Sequence, residues 1–88
     1  MKIKIVRVHP LERKRLQLEY SDGSFRILDV NPFLGKGLFR GLMDEGMFQT
    51  AKVVFDAVEW ANGADIDPET LLEDSVPTTA SMATAEKT

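Results

Sequence analysis

Residues 16–28 read Leu16-Gln17-Leu18-Glu19-Tyr20-Ser21-Asp22-Gly23-Ser24-Phe25-Arg26-Ile27-Leu28. Apolar and polar side chains alternate on both sides of an Asp-Gly pair. Alternation is the period of a strand with one buried face. Asp-Gly between two alternating runs is a strong hairpin signal, because both residues tolerate the positive φ that tight hairpin turns require. With Asp22 and Gly23 as the two central residues, Tyr20 lies opposite Phe25 and Leu18 opposite Ile27. Turn chemistry and apolar pattern then agree on one register, and an antiparallel sheet becomes the frame of the fold.

Working outward, Ile3-Lys4-Ile5-Val6-Arg7-Val8 is β-branched and mostly alternating, with a slip in phase between Ile5 and Val6 that predicts a bulge or a strand covered on both faces. His9-Pro10 is expected to close it, because proline cannot donate to a ladder. Glu12-Arg13-Lys14-Arg15 reads as a polar turn. After the return strand, Phe25 to Val30, Asn31 is placed to cap a short turn with Pro32 at its first helical position. Leu38-Phe39-Arg40-Gly41-Leu42-Met43-Asp44 sets Leu38 and Leu42 four apart, with Phe39 and Met43 beside them, which predicts a helix over 37–45 and a stop at Gly46. Residues 48–55 turn β-like, and 51–60 reads as a hairpin around Asp56-Ala57, although alanine suits such a turn poorly, with one long bent strand as the alternative.

The second informative stretch is Trp60-Ala61-Asn62-Gly63-Ala64-Asp65-Ile66-Asp67-Pro68-Glu69-Thr70-Leu71-Leu72. It runs from an aromatic strand end through an Asn-Gly turn into a helix begun by Pro68. Its acidic and amide groups (Asn62, Asp65, Asp67, Glu69) are hard oxygen donors of the kind Ca²⁺ or Mg²⁺ uses, but the twelve-residue frame and closing Glu of a calcium loop are missing. Architecture explains most of them: Asn62-Gly63 turns the chain, Asp67 caps the helix, and Glu69 lies in the first turn, where the helix dipole favours negative charge. Asp65 is left without a structural task. Trp60, Asn62, Asp65, Asp67 and Glu69 are therefore the candidate interaction residues; no metal, cofactor or catalytic residue is assigned.

At 88 residues, with 43% hydrophobic and 28% charged side chains, the chain has the composition of one small globular domain. It has no cysteine, so neither a disulfide framework nor a thiolate zinc site is available. No apolar run approaches the ~18 residues of a membrane span and no signal-peptide core follows the first residues; the cytoplasm is the expected location. The net charge of −3 is uneven: residues 1–20 carry Lys2, Lys4, Arg7, Arg13, Lys14 and Arg15 against Glu12 and Glu19, and the rest is strongly acidic. Such a split suits a basic patch for nucleic acid, an acidic face for a basic partner, or two solvated faces that partly neutralise each other. His9, the sole histidine, shows no triad spacing with a nucleophile, and Gly35-Lys36-Gly37 lacks the spacing of a phosphate-binding loop. From Ser75 onward, Ala, Thr and Ser dominate, so the domain is expected to end at residue 74 and 75–88 to form a disordered tail.

The chain resembles a bacterial family of small domains of unknown function. The residues that carry the resemblance are Ser21-Asp22-Gly23, Leu38 to Leu42, Phe48, and above all Trp60 through Leu71, which match a Trp-x-Asn-Gly-x-Asp-apolar-x-Pro-acidic ending. The resemblance implies an α+β domain with an antiparallel sheet. Some relatives are fused to a helix-turn-helix domain, and others lie beside small toxin-like proteins, which implies antitoxin-like or regulatory roles. The expected architecture is a four- to five-stranded, mostly antiparallel sheet with a short helix on one face and a C-terminal helix. The expected function is a non-enzymatic interaction module that binds a protein partner, such as a toxin-like neighbour. The alternative is a nucleic-acid-binding transcriptional regulator that uses the basic N-terminal half. A homodimer is compatible with either, and no membrane association is expected.

Overall fold

The computed structural model describes residues 3–79. The chain is an α+β domain built from two antiparallel sheets. Strands β1 (Ile5–Leu11), β2 (Arg15–Tyr20), β3 (Phe25–Asp29) and β7 (Ser75–Thr78) form the first, in the order β1-β2-β3-β7. Strands β4 (Lys52–Val54), β5 (Ala57–Glu59) and β6 (Asp65–Ile66) form the second, in the order β4-β5-β6. Between the sheets run two 3₁₀ segments, Asn31–Phe33 and Gly37–Met43, and the short helix α1 (Glu45–Phe48). Helix α2 (Pro68–Asp74) leads from β6 into β7.

The β2–β3 hairpin forms, but one step away from the expected register. Leu16 faces Leu28, Leu18 faces Arg26, and Glu19 faces Phe25. The loop has three residues rather than two: Tyr20 N–H donates to the Ser24 carbonyl, Gly23 N–H donates to the Tyr20 carbonyl, and Gly23 takes φ +86°. This is a turn closed by a glycine bulge. Asp22 is not a positive-φ residue. Its carboxylate instead accepts from the amide and hydroxyl of Ser24. The same geometry recurs at residues 60–64, where Trp60 N–H donates to the Ala64 carbonyl, Gly63 N–H to the Trp60 carbonyl, and Ala64 N–H to the Asn62 side-chain oxygen. Both sheets are thus turned by an aromatic-x-Asx-Gly-small loop.

Other local expectations shift for identifiable reasons. The slip near Ile5 is a bulge between Ile5 and Arg7. Strand β1 continues through His9-Pro10 to Leu11, because β1 is an edge strand where a missing N–H is tolerated. The segment expected as a helix over 37–45 is a 3₁₀ run, so Phe39 and Leu42, three apart, turn inward, while Leu38 and Met43 are 58% and 63% exposed. Gly46 does not stop a helix; it lies inside α1, whose N-terminus is capped by the Asp44 carboxylate accepting from Met47 N–H. Phe48, expected in a strand, ends that helix. The second hairpin turns at Phe55-Asp56, not Asp56-Ala57, with φ +49° and +69°. Asn31 does not cap its turn. Its amide donates to the Arg13 carbonyl and to Asp29. The domain runs past the expected boundary at 74, because Ser75–Thr78 pair with β3; the rest of the expected tail, 80–88, lies outside the described residues.

One core joins the two sheets. Leu16, Leu18, Tyr20 and Leu28 from the first sheet meet Val58, Trp60 and Ile66 from the second, with Leu42, Phe48 and Leu71 between them. Trp60 sits at the junction. Its indole N–H donates to the buried Phe48 carbonyl at 3.0 Å, and its ring contacts those of Phe39 and Phe48. Burying a large aromatic ring whose polar edge is satisfied adds a large apolar area to the core without an unpaired donor.

Candidate interaction site

The five residues singled out in the sequence do not converge. Trp60 is 1% exposed and fully engaged in the core, so no partner reaches it. Asn62 is half-buried. Its oxygen accepts from Ala64 N–H and its amide donates to the Leu38 carbonyl at 2.8 Å, which ties the β5–β6 turn to the 3₁₀ segment. Gly41 makes room for this, since a Cβ there would lie 2.7 Å from the Asn62 amide nitrogen. Both residues are therefore architectural.

The three carboxylates are exposed but separated in role. Asp65 lies on β6 directly across from Glu59, which in turn faces Lys52. Like charges opposite one another in a sheet repel, and Asp65 accepts no hydrogen bond among the described residues. Asp67 precedes α2 but its side chain caps nothing; the Pro68 ring supplies the helix start instead. Glu69 lies in the first turn and makes no hydrogen bond or ion pair among the described residues. Among the described residues, no three His, Cys, Asp or Glu side chains gather as a metal set.

The basic N-terminal half is mostly committed internally. Arg7 pairs with Glu19 at 2.9 Å, and this bond holds the Glu19 carboxyl below its ordinary range. Lys14 donates to Glu45 at 2.5 Å and lies over the Phe48 ring, which lowers the Glu45 carboxyl with help from Gln49. Arg15 donates to the Glu12 carbonyl. His9 is exposed on β1, opposite Gln17.

Two surfaces that the sequence left unmarked stand out. The outer face of the first sheet has rows His9-Gln17-Ile27-Val76 and Arg7-Glu19-Phe25-Thr78. Its β1–β2 half is charged. Its β3–β7 half is apolar, with Val76 61% exposed and Phe25 and Ile27 half-buried. Val76 could have been flagged only by knowing that 75–78 form a strand. The second surface is a cleft of about 530 Å³ walled by Pro32, Phe33 and Phe39, with Asp29, Lys36 and Asp74 around it. The Phe33 and Phe39 rings pack 5.6 Å apart there, continuing toward Trp60.

No described helix is long and apolar enough to cross a membrane. Comparison with curated proteins and with solved structures returns no match for this sequence. A family model does match, over residues 5–77, the span from the first residue of β1 to within one residue of the end of β7. Its description is "protein of unknown function (DUF2442)", and the chain belongs to that family.

Proposed function

We propose that the chain is a non-enzymatic interaction module, acting in the cytoplasm, that binds a protein partner in the manner of an antitoxin or regulator. The observation that carries this reading is the apolar half of the outer sheet face. Phe25, Ile27 and Val76 are contributed by adjacent strands and face the same side, yet Val76 keeps 61% of its surface in solvent. Clustered apolar side chains on a rigid sheet are what a protein interface uses.

The face is favoured over the edges. Both edge strands of this sheet carry a proline, Pro10 in β1 and Pro77 in β7. A proline withholds a main-chain donor and blunts strand addition. Nucleic acid is less well supported, because Arg7 and Lys14 are already paired with Glu19 and Glu45, and phosphate contact needs free cations.

Co-expression of the full chain with the protein encoded beside it, followed by size-exclusion chromatography, tests the reading. A stable complex that Val76→Lys weakens is expected. Elution of the chain alone would remove the proposal. Titration with mixed DNA at low salt should show no salt-sensitive binding.

A further inference from the structure

A further surface lies where the start of β1, the β4–β5 turn and helix α2 meet. A groove of about 310 Å³ is lined by Ile3, Asp67, Pro68, Glu69 and Leu72. It runs into a smaller hollow of about 120 Å³ that shares Ile3, Pro68 and Leu72 and adds Lys4, Ile5, Tyr20 and Asp56. The hollow is below the roughly 300 Å³ of a small-molecule pocket; it suits a single side chain of a protein.

Three independent observations mark this place. First, Ile3 and Leu72 are 39% and 37% exposed, so the apolar walls are open. Second, the Tyr20 hydroxyl is buried without a hydrogen-bond partner among the described residues, in a residue only 3% exposed that lines the hollow. A buried hydroxyl without a partner is uncommon and asks for an acceptor. Third, Phe55, next to Asp56 on the rim, holds φ +49° with 96% of its surface in solvent. A bulky residue in that region is strained, and packing within this fold does not repay the strain, because the ring touches almost nothing. Strained backbone of this kind clusters at binding sites, and exposed aromatic rings are the anchors of protein interfaces.

The rim sets the partner's charge. Asp56, Asp67 and Glu69 line the groove and hollow, and their carboxylates accept no hydrogen bond and form no ion pair among the described residues; Lys4 is the cation lining the same space. We infer that this groove docks a segment of a protein partner that alternates an aliphatic residue with lysine or arginine, the aliphatic side chain entering between Ile3 and Leu72 while the cations meet the acidic rim. This inference rests on the reading of the chain as a protein-binding module and adds to it a second surface and the chemistry of what it takes.

The full chain, uniformly ¹⁵N-labelled, is titrated with blocked peptides of sequence Lys-Leu-Lys-Leu-Lys, Glu-Leu-Glu-Leu-Glu and Lys-Ser-Lys-Ser-Lys. The Lys-Leu peptide is expected to shift the amides of Ile3, Phe55 and Leu72. Binding should be at least tenfold weaker for the other two peptides and for the Leu72→Ser chain, and should weaken as salt is raised. No shifts around the groove, or equal binding of the Glu-Leu peptide, would overturn the inference. So would contacts in the free chain between Leu72 and residues beyond 79, or concentration-dependent shifts at the groove, because a tail or a second copy would then be the occupant. The two readings separate cleanly. A complex with the neighbouring protein that survives Leu72→Ser and Phe55→Asn but not Val76→Lys sinks the groove alone. Peptide binding at the groove with no complex sinks the outer-face reading alone.

Discussion

Arg26 donates from Nε to the Ser75 hydroxyl at 2.6 Å and from a terminal nitrogen to the Ser75 carbonyl at 2.9 Å, and the same nitrogen reaches the Leu72 carbonyl at 3.2 Å. The pairing of Arg26 with Leu18 places this guanidinium on the inner side of the sheet, where Leu16, Leu18 and Leu28 are buried. There it satisfies a carbonyl in the last turn of α2, that of Leu72, and places a cation at the negative end of the helix. It also anchors the start of β7, whose Ser75 is 5% exposed.

Arg26→Ala should therefore cost about 2–4 kcal/mol, since it removes three charge-assisted bonds at a partly buried junction and leaves the Ser75 hydroxyl with only its long bond to the Leu72 carbonyl. Arg26→Lys should recover only part, because an ammonium cannot reproduce the planar fork. Hydrogen exchange would show the amides of residues 72–78 opening first. Loss confined to global melting with no local change there would contradict the anchoring role.

Gly41 looks dispensable by helix propensity, where alanine gains about 1 kcal/mol over glycine. The structure reverses the sign. A methyl at Gly41 would sit 2.7 Å from the Asn62 amide nitrogen, which already donates to Leu38. Gly41→Ala should destabilise by about 1–3 kcal/mol, the usual cost of overpacking. In an Asn62→Ala background the clash is gone, so the same change should become neutral or favourable. A double-mutant cycle by chemical denaturation measures the coupling; additive costs would mean the two residues do not meet.

How much of this was legible in the sequence depends on the range of the interaction. The alternation of Leu16, Leu18 and Tyr20 and the glycines of both loops gave the strands and turns, because periodicity and positive φ are properties of neighbours. The register was misread by one step, because a turn of two residues and a loop of three with a glycine bulge share the Asp-Gly signature. Ser75–Thr78 looked like tail because its pairing energy comes from β3, nearly 50 residues away. The acidic stretch was read as a single candidate site, yet Asn62 turns inward to Leu38 while Asp67 and Glu69 border a groove whose other wall is Ile3. Proximity of that kind is set by topology, not by spacing. Phe55 escaped notice for a similar reason: its strain appears only once the turn is known to fall on it and Asp56.

That turn gives a prediction in the opposite direction from most. Phe55 and Asp56 occupy the two positions that Asn-Gly fills best. Replacing the pair by Asn-Gly should relieve the strain and lose almost no burial, stabilising the chain by about 1 kcal/mol. For a domain of this size that is a rise in Tm of about 4–8 °C. A fall in Tm would show that the Phe55 ring contributes to folding after all.

Tyr20 gives the last prediction. Burial pushes its phenol above the ordinary value, with Arg26 opposing in part. A group whose folded pKa is raised above its unfolded one contributes stability that is fully present below the unfolded value, about 10 for tyrosine. Above that pH the unfolded chain releases the phenolic proton while the folded chain retains it, so stability falls as pH rises through the folded pKa. Tyr20→Phe removes both the titration and the unpartnered hydroxyl. At neutral pH it should be neutral or stabilising, by up to about 1–3 kcal/mol, because a buried donor without an acceptor is no longer carried. Between pH 9 and 11 the stability of the native chain should decline more steeply than that of the variant. Denaturant melts at pH 7 and across that window measure both effects. A Phe variant clearly weaker at pH 7 would show that the Tyr20 hydroxyl has a partner in solution, such as an ordered water.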